Sequence, residues 1–131
     1  MSPAIERRLL QGAVAIASLV PFTTASTSIF RGAAWMAHMP VSADLDSHYR
    51  YLSGIFLMLG VGFVSCIPRI ETAGSRFRLL GAMVVAGGLA RLLSLIQVGT
   101  PSTGHLFGLV MELGVVPLIM LWQARVARRF T

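Results

Sequence analysis

The stretch LLGAMVVAGGLARLLSLIQVGTPSTGHLFGLVMELGVVPLIMLWQ, from Leu79 to Gln123, decides the fold. It holds two apolar runs, Leu79 to Val98 and His105 to Gln123, joined by a Gly/Pro/Ser/Thr turn from Gly99 to Gly104. Each run approaches the roughly 20 residues that a helix needs to cross a hydrocarbon core. A link this short makes the two helices antiparallel neighbours. Each run also carries one charge, Arg91 in the first and Glu112 in the second, and both lie seven positions from the turn. At about 1.5 Å rise per residue, both sit roughly 10 Å below one surface. An unpaired charge at that depth is costly, so intramembrane ionisable groups face a bundle interior and pair. The pattern predicts an Arg91–Glu112 pair between two neighbouring spans.

Outward from this stretch lie two more apolar runs, about Leu9 to Phe30 and about Tyr51 to Ile67. The second is short, so its ends lie near the interface or the bilayer thins around it. The expected fold is all-α: a polytopic membrane protein with an antiparallel four-transmembrane-helix bundle as a single domain over residues 1–131, spans at about 9–30, 51–67, 79–98 and 105–123. The longest predicted loop runs from Arg31 to Arg50. Its first part, RGAAWMAHM, reads as a short interfacial helix with Trp35 at headgroup level, ended by Pro40. A second loop, PRIETAGSRFR from Pro68 to Arg78, carries three of the arginines.

Composition agrees. Hydrophobic residues make up 55% of the 131 and charged residues 12%, with a mean hydropathy of +0.74. That is roughly half the charged fraction of a soluble domain. All 11 basic residues are Arg, and the net charge is +6. In a soluble protein such a charge points to nucleic acid. Here the arginines cluster in short loops and at the ends, with no basic-aromatic motif, so no nucleic-acid partner is expected. Eight of them flank one set of span ends (Arg7, Arg8, Arg69, Arg76, Arg78, Arg125, Arg128, Arg129), against Arg31 and Arg50 at the other. By the positive-inside rule both termini are expected in the cytoplasm, with the level of Arg91 and Glu112 in the outer half of the membrane. Arg7, Arg8 and the run from Leu9 mimic a signal peptide, but the run continues past Pro21 and reads as the first span. Cys66, the lone cysteine, reads as a small buried hydrophobe.

The candidate site is assembled from the outer half of every span. On the third, Gly87, Gly88, Arg91, Ser94 and Val98 share a face, and Ala82, Ala86 and Ala90 form a stripe one step round. The stripe reads as helix packing; Gly87 and Gly88 read either as packing or as space for a ligand. On the fourth, His105, Gly108, Glu112 and Ile119 align, Gly104 and Gly108 make a GxxxG, and Pro117 interrupts the bond to Leu113. His105 reads as a site residue or as an ordinary interfacial polar group. On the first, PFTTASTS puts Pro21, Thr24, Thr27 and Arg31 on one face, where the hydroxyls either line a site or reseat the backbone near the proline. The second begins DSHYRYLSG, bringing Asp46, His48, Arg50, Tyr51, Ser53 and Gly54; Arg50 and Tyr51 are alternatively interfacial anchors. Four polar ends at one level point to a polar cavity open outward and closed below by apolar packing. If Glu112 pairs with Arg91, Arg50 stays free for a carboxylate or phosphate. No metal-ligand set, nucleophile motif or phosphate loop is present, and no cofactor is expected.

The segments DSHYRYLSGIFLMLG, GGLARLLSL and VGTPSTGHLFGLVMEL resemble the domain-of-unknown-function family 4345 (DUF4345), small bacterial membrane proteins with four predicted helices. The resemblance runs from about Leu9 to Ala127. It implies a location in the bacterial inner membrane, and the family pattern falls here on Arg50, Gly54, Gly87, Gly88, Arg91 and Glu112. It implies no activity. Three readings follow: a protein that binds or helps to move a small anionic or lipid-like ligand; a non-catalytic accessory subunit, in a homo-oligomer or larger membrane complex, whose ion pair fixes helix register; and a small membrane enzyme using Glu112 as acid or base. A carboxylate locked to Arg91 is a poor acid or base, which places the enzyme last. Membrane lipids are partners under all three.

Overall fold

The computed structural model describes residues 1–131 and is all-helical, with no strand. Four helices are long and apolar enough to cross a membrane: α1 Pro3–Ala37, α2 Ala43–Cys66 with a 3-10 turn Ile67–Arg69 after it, α3 Gly74–Val98, and α4 Thr103–Arg128. The chain is a multi-pass membrane protein, and lipid covers its apolar helix faces.

Helix α1 starts where the sequence offers a cap. Ser2 Oγ accepts from the Ile5 N–H at 3.3 Å, and Pro3 occupies the first helical position, where its missing N–H costs nothing. Pro21 does not end the helix. The hydroxyls around it turn back on their own helix: Ser18 donates to the Val14 carbonyl, Thr23 to Leu19 and Thr24 to Val20, each at 2.7 Å, and Thr27 to Thr23 at 2.8 Å. This is the usual way for hydroxyls to find partners inside a helix.

The region expected as a long outer loop is mostly helical. Helix α1 breaks at Gly32 (φ 74°, ψ −180°), resumes, and runs to Ala37. Helix α2 already begins at Ala43, so only residues 38–42 are non-helical there. Hydropathy marks the part of a helix that sits in hydrocarbon; it is blind to polar turns that extend the same helix beyond it. Those turns have their own signals. Ser42 caps α2 by accepting from the Leu45 N–H at 3.2 Å, and Asp44 and Asp46 sit in its first turn, favourably placed against the helix dipole.

Pro117 does not simply kink α4. Just before it the helix widens into a π turn, Met111–Val115, in which the Val116 N–H reaches back to the Met111 carbonyl. Glu112 lies inside this turn. π turns inside α-helices are uncommon and concentrate at functional sites.

The chain forms two compact units, Gly12–Ile67 and a second made of Met1–Gln11 with Pro68–Thr131. Within the first, α1 and α2 run antiparallel: Pro21 lies against Gly60, and the Ser28 and Tyr49 hydroxyls meet at 2.7 Å. Within the second, α3 and α4 run antiparallel: Gly81 faces Met120, and Gly88 faces Glu112 and Leu113. A side chain at Gly88 would put its Cβ 2.8 Å from both Glu112 Cβ and Leu113 Cδ2, so only glycine permits this approach. The far end of this unit is tied by polar contacts. Glu6, 2% exposed, lies between Arg125 at 3.0 Å and Arg129. Arg7 meets Glu71 at 3.1 Å and lies over the Phe130 ring, and fully buried Gln123 donates to the Ile70 carbonyl at 2.8 Å.

Candidate functional site

Two polar groupings lie among the residues singled out above, one in each unit. The first sits on α3 and α4. Arg91 Nε donates to Glu112 Oε2 at 2.9 Å, and Arg91 Nη2 donates to Glu112 Oε1 at 3.0 Å. This is the bidentate fork that guanidinium and carboxylate geometry favours. Small residues make room for it. Gly88, one turn from Arg91, lets α4 approach at Glu112, and a Cβ at Gly108 would stand 3.7 Å from the Arg91 guanidinium. The partners are unequally covered: the Glu112 side chain is 11% exposed and that of Arg91 33%. Two of the three guanidinium nitrogens serve the pair, and Nη1 takes no part in it.

Around this pair the other candidate residues are spread. Half-buried His105 has its Nδ1 2.9 Å from Ser102 Oγ, so the ring is held to the start of α4. Ser94 is exposed one turn from Arg91. Gly87 is also exposed and open on its Cβ side, unlike its neighbour Gly88.

The second grouping surrounds the break in α1. Asp46 Oδ1 accepts from the Ala33 N–H at 2.8 Å, capping the helix that resumes after Gly32. Arg50 Nη1 donates to the Ile29 carbonyl, satisfying a backbone oxygen just before the break. Asp46 Oδ2 and Arg50 Nε close the clamp at 2.7 Å. A Cβ at Gly32 would collide with both side chains. Arg50 is therefore not the free cation that the sequence led us to expect; its guanidinium is spent on Asp46 and Ile29. Tyr51 is exposed, Thr24 is exposed with its hydroxyl on its own helix, and Gly54 has open space beside it. Three or more His, Cys, Asp or Glu side chains never converge as a metal site would require.

A family model described as "Domain of unknown function (DUF4345)" matches residues 9–123. The chain belongs to the DUF4345 family. No curated relative and no solved structure matches it. Membership in DUF4345 thus agrees with the four apolar helices and leaves the chemistry to the residues themselves.

Several of those residues escaped the sequence reading. Glu6, Glu71 and Gln123 are the acceptors and donors that hold the arginine-rich end together, yet each stands outside or at the edge of an apolar run. Glu6 had one usable signal: a lone acid beside Arg7 and Arg8 in a first turn. Asp46 had another, four positions before Arg50 at the start of a helix.

Proposed function

We propose that this DUF4345 member is a small binding protein of the bacterial inner membrane, with both termini in the cytoplasm. Its ligand is a small anion or an anionic lipid-like molecule, held in an outward-facing polar cavity at Arg91. One observation carries this reading. Arg91 is fixed in place by Glu112 but a third of its side chain is still exposed, with Nη1 outside the pair. A guanidinium edge left open at membrane depth needs an anion, a polar headgroup or water. Glu112 serves as the positioning group, because two parallel bonds fix the plane of the guanidinium. His105 and Ser94 stand on the outer side of Arg91 along their helices and are the polar groups such a ligand meets on entry. Arg50 is left out of the binding role, since the Asp46 clamp engages it.

A second reading has its own observation. The close approach of Gly88 to Glu112 and Leu113 favours a packed joint, in which the ion pair fixes the register of α3 on α4 for an accessory subunit of a larger complex. Access separates the two. With Cys66 replaced by Ala, Ser94→Cys should react with a membrane-impermeant maleimide added outside, and Ala82→Cys, in the apolar inner half, should not. Equal protection at both positions sinks the cavity and leaves the packed joint.

A further inference from the structure

The net charge of the molecule resides entirely at one end. Eight arginines and two glutamates, Glu6 and Glu71, occupy the start of α1, the α2–α3 connection, the start of α3 and the end of α4, a surplus of six positive charges. The remaining three arginines (Arg31, Arg50, Arg91) are matched by three acids (Asp44, Asp46, Glu112), so the rest of the chain is neutral. All ten charged residues of the basic end belong to one unit, Met1–Gln11 with Pro68–Thr131, and the contacts of Glu6 with Arg125 and Arg129, of Arg7 with Glu71 and of Gln123 with Ile70 draw its segments together there.

Those contacts divide seven of the eight arginines, all but Arg76, into two groups. Arg7, Arg125 and Arg129 are consumed by Glu71 and Glu6. Arg8, Arg69, Arg78 and Arg128 are exposed and outside every ion pair, and each adjoins a member of the polar network. Arg8 follows Arg7, Arg69 precedes Ile70 whose carbonyl holds Gln123, and Arg128 precedes Arg129. The Arg78 guanidinium lies beside Gly74, as does the Gln123 amide. Depth is set by hydropathy. Arg8 directly precedes the apolar run that starts at Leu9, Arg69 follows the one that ends at Ile67, Arg78 precedes the one that starts at Leu79, and Arg128 lies beyond the one that ends at Gln123. Charged side chains at the ends of apolar spans sit at the membrane interface. The four arginines thus stand at headgroup level, where the nearest anions are lipid phosphates. Guanidinium, planar and permanently charged, grips a phosphate by two parallel bonds.

We infer that this end is a binding surface for the phosphate headgroups of anionic phospholipids, built on Arg8, Arg69, Arg78 and Arg128. It is separate from the ligand site proposed at Arg91 and does not depend on it. The surface holds lipid by charge and bidentate geometry, and zwitterionic lipid, whose own ammonium cancels the attraction, binds poorly.

Native mass spectrometry of the full chain, purified in detergent with equal phosphatidylglycerol and phosphatidylcholine, tests this. The protein should retain phosphatidylglycerol preferentially, and the preference should fall roughly five-fold for each arginine removed, from the usual attraction of one basic side chain to an anionic surface. Arg69→Gln with Arg78→Gln, and separately Arg8→Gln with Arg128→Gln, should each lose most of it. Arg31→Gln, at the neutral end, should keep it. The corresponding lysine pairs preserve charge and insertion and should fall between, which keeps the test decisive if a glutamine pair fails to insert. Equal retention of both lipids, or glutamine and lysine pairs that retain phosphatidylglycerol like wild type, overturns the surface. Sodium phosphate and sodium chloride at equal ionic strength should displace the lipid equally; displacement by phosphate alone would mean that the arginines take a free anion, and would overturn the lipid assignment.

Discussion

At the scale of single residues, the arrangement of Arg91 and Glu112 follows from elementary rules. Two charges placed at the same depth on adjacent helices have few places to go except toward each other. What the structure adds is the inequality between them, with Glu112 nearly covered and Arg91 one-third open. Removing either partner alone leaves a charge with no counter-ion. Arg91→Ala or Glu112→Ala should each destabilise the protein by up to about 3 kcal/mol, the lower end of the range for a broken buried pair because Arg91 is partly exposed. The double substitution should recover much of that loss. Unfolding in mixed micelles, followed by circular dichroism, measures all four corners of the cycle. Simple addition of the two single effects would mean that the residues are energetically uncoupled. The structure also explains why neighbouring glycines differ. Gly88 is required by the approach of Glu112 and Leu113, while Gly87 meets nothing.

At the scale of elements, the break at Gly32 is the feature that the sequence hid. GAA within RGAAWMAHM reads as the start of a short helix, and a glycine there is compatible with several conformations. Only the partners reveal the choice: Asp46 and Arg50 lie 14 and 18 positions further on, too far for any local pattern. The four apolar helices were legible because burial in lipid needs only a long apolar run. Their ends were less so, because a helix extends as far as its caps allow and not as far as its hydrophobicity. Pro117 announced a disturbance in α4, but not that it would be preceded by a π turn at Met111–Val115, whose Glu112 and Leu113 lie against Gly88. Glu6, Glu71 and Gln123 were missed for the same reason as Gly32, since their partners come from distant segments. The break can be tested directly. Its φ of 74° with ψ near 180° belongs to a region that is essentially glycine's alone. Gly32→Ala should cost about 1–3 kcal/mol from the backbone, with displacement of Asp46 and Arg50 besides. Asp46→Asn, which keeps an acceptor for Ala33, should cost less than Asp46→Ala. Thermal unfolding of the three variants reads both effects, and a Gly32→Ala protein as stable as wild type would remove the break from the native structure.

At the scale of the whole molecule, charge and hydropathy act on the same chain for different ends. Hydropathy fixes how many times the chain crosses the membrane, and an even number of spans returns the two termini to one side. Charge then selects the side. Eight arginines flank one set of helix ends and only Arg31 and Arg50 the other, and the second pair is further offset by Asp44 and Asp46. The positive-inside rule weighs the basic residues near span ends and gives acids little influence, so the split of eight to two predicts cytoplasmic termini. The structure sharpens the argument by showing that Arg50 is tied to Asp46 and Ile29 in the folded protein, although during insertion it still counts as a positive residue. Alkaline phosphatase fused after Thr131 should therefore be inactive, and a fluorescent protein at the same position should fold and fluoresce. A phosphatase inserted between Met39 and Val41, in the short α1–α2 connection, should be active. The reverse pattern would turn the molecule over, placing the open edge of Arg91 in the cytoplasmic half of the membrane and the six surplus positive charges outside. An outward-facing ligand site could not survive that result. The lipid-phosphate surface could, because its recognition depends on where the arginines converge and not on which leaflet they meet.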